Sequence, residues 1–220
     1  MRELETNTRE TTTLPRDWAR IRFTASVTLY GAALGAAVVT VSLLSQQADL
    51  IGDPERLSLG RSLVLGAGGA LAGLTITAPF AFWTFGARPT FAATRARQPR
   101  TFLMWLMLGL CYGIAFPLAL GAFFLPTSAN FLDFFTGGMS LPTMWVRSID
   151  LVTGRASGFA LIFGIRFMFT GLAGGVVFGA GGWIIDRFSA SADPTTARYG
   201  AWATALVLSV LVVMAAAFAP

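Results

Sequence analysis

One residue in this chain carries a charge where charge is costly, and two carboxylates precede it. Arg166 stands inside the apolar stretch Ser157 to Ile185, and Asp133 and Asp150 lie in the short, mostly apolar segments just before it. A charged side chain at the centre of a bilayer costs about 2.5–3.5 kcal/mol on insertion scales, so such residues pair with one another or line a polar pathway. Arg166 with Asp133 or Asp150 would supply an ion pair or a polar route through a helix bundle. Length offers a second placement. As one helix, the 29 residues of this stretch would extend about 43 Å at 1.5 Å per residue, more than a hydrocarbon core of about 30 Å needs. Phe167 to Ile185 alone can cross, which leaves Arg166 near the outer boundary with its head in the headgroup layer.

A second set of residues suits contact rather than chemistry. Gly171, Gly175 and Gly179 follow one another at four-residue spacing, and Gly31 with Gly35, Gly69 with Gly73, and Gly109 with Gly113 repeat the interval in other apolar runs. One helix face is then almost without side chains. In lipid, helices associate through close packing rather than expulsion of water, and small residues at this spacing permit it. These nine glycines are the candidate helix-packing residues, and their faces can also accept a flat lipid or pigment tail.

Histidine is absent from the chain, which excludes a His general base, a His-ligated metal and His axial ligation of haem or chlorophyll. Cys111 is the single cysteine and stands in an apolar run, so no intrachain disulfide forms and the residue reads as packing. No Walker A, HExxH, GxSxG, CxxC or EF-hand pattern occurs. No catalytic residue, metal ligand or cofactor is assigned, and the expectation is a non-enzymatic protein. Asp186-Arg187, which closes the long stretch, reads as a helix-end pair at the cytoplasmic surface.

The elements that position these residues are membrane helices. With 55% hydrophobic and 12% charged residues and a mean hydropathy of +0.65, the chain is expected to be all-α, a polytopic integral membrane protein. Five spans are predicted at about 23–44, 62–85, 102–125, 157–185 and 199–218. They make 23–220 one membrane domain behind an N-terminal cytoplasmic tail, 1–22, that has no signal-peptide pattern. Pro79 and Pro117 are expected to kink the second and third spans. Between spans 3 and 4, residues 126–156 hold two apolar pieces too short to cross, expected as an interfacial helix or a shallow re-entrant segment.

The formal charge of +5 comes entirely from arginine against carboxylates. Those arginines cluster between apolar runs, which is a topological pattern rather than a nucleic-acid footprint. Arg88, Arg95, Arg97 and Arg100 crowd one connection, where Phe91 to Thr94 could form a short surface helix. Eleven arginines fall on one side of the five-span arrangement and four on the other, placing the N-terminus in the cytoplasm and the C-terminus outside, in the bacterial cytoplasmic (inner) membrane. Trp18, Trp83, Trp105, Trp183 and Trp202 fall at the cytoplasmic boundary, and Trp145 at the other.

The expected role is a structural or accessory subunit of a larger membrane complex. It would pack through its Gly-rich faces against other membrane-protein subunits or a second copy, with membrane lipids around it and no nucleic acid bound. The alternative is a small transporter or channel component in which Arg166 lines a polar pathway.

Overall fold

The computed structural model describes residues 16–50, 59–86, 100–191, 193 and 195–217, and every regular element among them is helical. In order these are α1 (Arg16–Leu50), α2 (Leu59–Gly86), α3 (Phe102–Ala119), a π-helical turn (Leu120–Phe124), α4 (Leu125–Phe135), α5 (Leu141–Gly154), α6 (Ala156–Arg166), α7 (Met168–Ser189), a second π-helical turn (Thr196–Gly200) and α8 (Ala201–Ala217). Most of the tail 1–22 and the Phe91–Thr94 segment lie outside the described residues.

Among the described residues, four helical stretches are long and apolar enough to cross a bilayer: Arg20–Ser42, Val64–Trp83, Phe102–Phe124 and Met168–Ser189. They fall on the first four predicted spans, while Ala201–Ala216, in the fifth, is apolar but shorter. Pro79 sits inside α2 without ending it. Pro117 has more effect: it has no N–H for the helical ladder. Three residues on, the Leu120 N–H reaches both the Phe116 and Pro117 carbonyls, and the ladder slips into the π turn.

The stretch 157–185 is not one helix. α6 ends at Arg166, Phe167 takes φ −89° and ψ 1°, and α7 begins at Met168. The break lets buried Phe167 enter the core while its carbonyl accepts the Gly171 N–H at 2.7 Å. α6 is then free to lie against the first π turn and α3. Residues 126–156 form α4 and α5, helices of 11 and 14 residues. Ser140 starts α5 by accepting the Thr143 N–H, with Pro142 in the first turn where a missing donor costs nothing. Before α8, exposed Asp193 accepts the hydroxyl of Thr196 at 2.6 Å and its N–H at 2.8 Å. Those bonds favour the carboxylate and hold Asp193 below its ordinary 3.8.

α1 lies centrally, against α2, α7 and α8, while α3 packs chiefly on α7. Its contacts fix the directions. Ser42 bonds Thr170, and Tyr30 bonds the Val177 carbonyl, so α1 and α7 are antiparallel. Phe23 meets Trp105 and the Tyr112 hydroxyl reaches the Gly31 carbonyl, so α1 and α3 are parallel. One end of the bundle therefore gathers the starts of α1 and α3 and the ends of α2 and α7. The α4–α6 excursion lies at the opposite end, where Ser128 meets Gly68 and Leu118 meets Gly164. Between α1, α3 and α7 the core is a column of rings, in which Phe178 stacks on Tyr112 with centroids 4.5 Å apart and on Tyr30 at 6.0 Å.

Candidate functional site

The nine glycines singled out by their spacing meet one another. A Cβ on Gly73 would strike the Gly31 carbonyl oxygen, and one on Gly69 would lie 2.5 Å from that of Gly35. On the other pair, a Cβ on Gly109 would strike the Gly175 carbonyl oxygen, one on Gly171 would lie 2.7 Å from that of Gly113, and one on Gly179 2.7 Å from that of Trp105. Real Cβ atoms do not approach so closely, so α1 packs on α2, and α3 on α7, backbone against backbone. The faces expected to receive another subunit are occupied by the chain's own helices. Gly181 and Gly182 extend the arrangement by admitting the rings of Tyr30 and Trp105.

One end of the α3–α7 contact holds a group that the sequence reading placed elsewhere. Asp186 is not at the surface: its exposure is 0%. Its Oδ2 accepts the backbone N–H of Arg100 at 2.7 Å and the indole Nε1–H of Trp105 at 3.0 Å. Arg100 is itself 6% exposed, and Trp105 is fully buried between Phe23 and Phe178. A carboxylate accepting charge-assisted bonds in a low-dielectric setting holds its donors tightly, each such bond contributing about 1.5–3 kcal/mol. The end of α7 is thereby tied to the start of α3. A signal for this was present, because Asp186 continues the face of Gly175, Gly179 and Gly182, and Trp105 lies one turn before Gly109. Arg187, its neighbour, does lie outside, with its guanidinium 5.3 Å from the Trp183 ring centre.

Asp133 and Asp150 are not drawn into such a site. Asp133 is exposed on α4 and Asp150 exposed on α5, and neither meets a described cation. Arg166 is the last residue of α6, at the break before α7, and its side chain lies outside the described set. Between α4 and α5 the buried polar contact is instead Asn130 Nδ2 to Ser148 Oγ at 3.1 Å. What the described residues bring together is therefore clamps and close contacts, with hydrogen-bond acceptors consumed in holding helices. Comparison with protein-family models, curated proteins and solved structures finds no match.

Proposed function

We propose that this protein is a non-enzymatic, multi-pass membrane protein serving as a structural or accessory subunit of a larger membrane assembly. The observation that carries the reading is the filled bundle interior, where the rings of Tyr30, Trp105, Tyr112 and Phe178 pack together and the paired helices touch through their backbones. A conduit needs polar groups along a continuous gap. A rigid spacer or docking element needs this kind of body.

In this reading α8, with the π turn before it, is the fifth crossing, a continuous helical segment from Thr196 to Ala217 of about 33 Å. The arginine-rich end of the bundle faces the cytoplasm and the C-terminus lies outside. α5 rests in the plane of the outer surface: Met144 and Ser148 are buried, Trp145, Val146 and Ile149 are exposed apolar residues along one side, and Arg147 and Asp150 mark the polar side. That is the pattern of an interfacial amphipathic helix. With the glycine faces used internally, partner contacts fall to α5, α6 and α8, whose outer residues include Ile149, Ile165 and Val210.

The test is the mass of the full chain extracted from its own membrane into nanodiscs without detergent. The reading expects a particle larger than one chain, reduced to a monomer by Ile149→Glu or Val210→Trp. A lipid-surrounded monomer of the unaltered protein in that preparation sinks it. An alkaline phosphatase fused after Pro220 is expected to be active if the C-terminus lies outside, and an inactive fusion would reverse the topology.

A further inference from the structure

α1 and α2 touch at their glycines, yet toward the end where α1 begins they leave an open trough of about 450 Å³, within the size range of small-ligand clefts. Ala25 and Ala32 give α1 a low floor there, and exposed Ile21, Leu29, Leu74 and Phe82 form the walls. The inner end stops near Leu74, one residue past the Gly31–Gly73 contact. At the open end stands a cation. Arg20 donates from Nε and Nη2 to the Phe82 carbonyl at 3.1 and 2.9 Å, and its guanidinium lies 3.4 Å over the Phe82 ring. A guanidinium has five N–H donors, so this anchoring leaves donors for an anion.

A second observation concerns hydroxyls. Ser26, Thr40 and Thr77, on the same two helices, each return a hydroxyl to a backbone carbonyl. Thr24 and Thr28 line the trough, and their buried hydroxyls have no hydrogen-bond partner among the described residues. They follow Arg20 at one and two helical turns, about 6 and 12 Å along the axis. A cation at the mouth, then an apolar trough with the two covered hydroxyls beneath its lining, then a dead end, matches the polarity of a phospholipid from head to tail.

We propose that this trough binds one anionic phospholipid, with its phosphate on Arg20 and an acyl chain running past Ala25 and Leu29 toward Ala32. Charge complementarity favours this occupant over a neutral lipid or a second copy of the chain, since basic pockets between membrane helices attract anionic headgroups. The inference rests on the chain lying in a bilayer and is independent of whether it has a protein partner.

The experiment is native mass spectrometry of the delipidated full-length protein with added phosphatidylglycerol or phosphatidylcholine of identical chains. Phosphatidylglycerol is expected to leave a single retained adduct that phosphatidylcholine does not, unaffected by excess inorganic phosphate. Arg20→Gln and Ala25→Leu, which fills the floor, should each lower retention about tenfold, while Arg20→Lys, which keeps the charge but not the two-point hold on Phe82, should fall between Arg20→Gln and the unaltered protein. A cooperative melt and unchanged elution identify variants that fold, and Arg20→Lys and Ala25→Leu serve if Arg20→Gln does not. Equal retention of the two lipids, displacement by free phosphate, or unchanged retention in any folded Gln or Leu variant overturns the proposal. So does a dimer that Ala25→Leu dissociates in the absence of lipid, which would make the trough an interface between copies.

Discussion

The two glycine-faced helix pairs are built alike and closed differently. In α1–α2 the contacts are Gly31 with Gly73 and Gly35 with Gly69, and in α3–α7 they are Gly109 with Gly175 and Gly113 with Gly171. Both pairs are antiparallel, and at the same end of the bundle each is tied by a charged side chain of one helix. For α1–α2 the tie is Arg20 to the Phe82 carbonyl, exposed, near the C-terminal end of a helix where a cation also meets a favourable dipole. For α3–α7 the tie is Asp186, fully buried, bonded to Arg100 and Trp105. The aromatic residue next to each tie goes a different way. Trp105 packs against Gly182 and seals its pair, whereas exposed Phe82 lines a trough. The same device thus gives a locked pair or an open one according to where its ring goes.

If burial makes the difference, removing the ties should have unequal effects. Asp186→Ala leaves the buried Trp105 indole N–H and the Arg100 backbone N–H without their acceptor, and is expected to destabilise by about 3–5 kcal/mol, the loss of two buried hydrogen bonds to a charged group at about 1.5–3 kcal/mol each. Asp186→Asn keeps the shape and an acceptor oxygen and should lose less. Arg20→Ala removes an exposed tie and should cost about 1 kcal/mol. Thermal unfolding of the purified protein in one detergent, followed by circular dichroism, ranks the three. Equal losses for Asp186→Ala and Arg20→Ala would end the distinction between the pairs.

The glycine contacts themselves should behave alike in both pairs. An alanine Cβ at Gly73 or Gly175 meets backbone, which cannot rotate aside, so each substitution should cost about 1–3 kcal/mol through overpacking. Gly158, in α6, offers the opposite case. Nothing lies within 4 Å of a Cβ built there, and Gly158→Ala should stabilise α6 by up to about 1 kcal/mol through helix propensity. Titration into denaturing detergent gives the order, and a Gly175→Ala protein as stable as Gly158→Ala would mean that α3 and α7 are not in backbone contact.

Much of this architecture is legible in the residues, because apolar run length and glycine spacing are local properties. The four long spans follow from runs such as Phe102 to Phe124, and the four-residue interval marks the glycines at which the paired helices touch backbone to backbone. Which glycine meets which is not local, because spacing describes a face without its occupant, and here the occupants of these faces are the chain's own helices. The burial of Asp186 is hidden for a related reason. A carboxylate beside an arginine at the end of an apolar run looks like a solvated helix end, yet counting by fours and threes from Gly175 through Gly179 and Gly182 puts Asp186 on the packing face. The break at Phe167 depends on α6 finding the π turn after Pro117, a contact between residues nearly fifty positions apart that no window of sequence contains.

What joins the two pairs is the aromatic column, and it can be tested with the smallest changes. Tyr112 on α3 donates to the Gly31 carbonyl of α1 at 3.1 Å, and Tyr30 on α1 donates to the Val177 carbonyl of α7 at 2.8 Å, while both rings stack on Phe178. Tyr112→Phe and Tyr30→Phe keep the rings and remove one hydroxyl each. Gly31 and Val177 lie inside helices, where their carbonyls also serve the backbone ladder, so neither change strands an acceptor and each should cost about 0.5–1.5 kcal/mol. Residues sharing a packed partner couple, whereas independent sites add to within about 0.3–0.5 kcal/mol. The double variant is therefore expected to depart from additivity by more than about 0.5 kcal/mol, since loosening either ring lets Phe178 shift against the other. Strict additivity would make the two hydroxyls separate fastenings and the pairs independent bodies, with the glycine contacts and the Asp186 tie left to hold each one together.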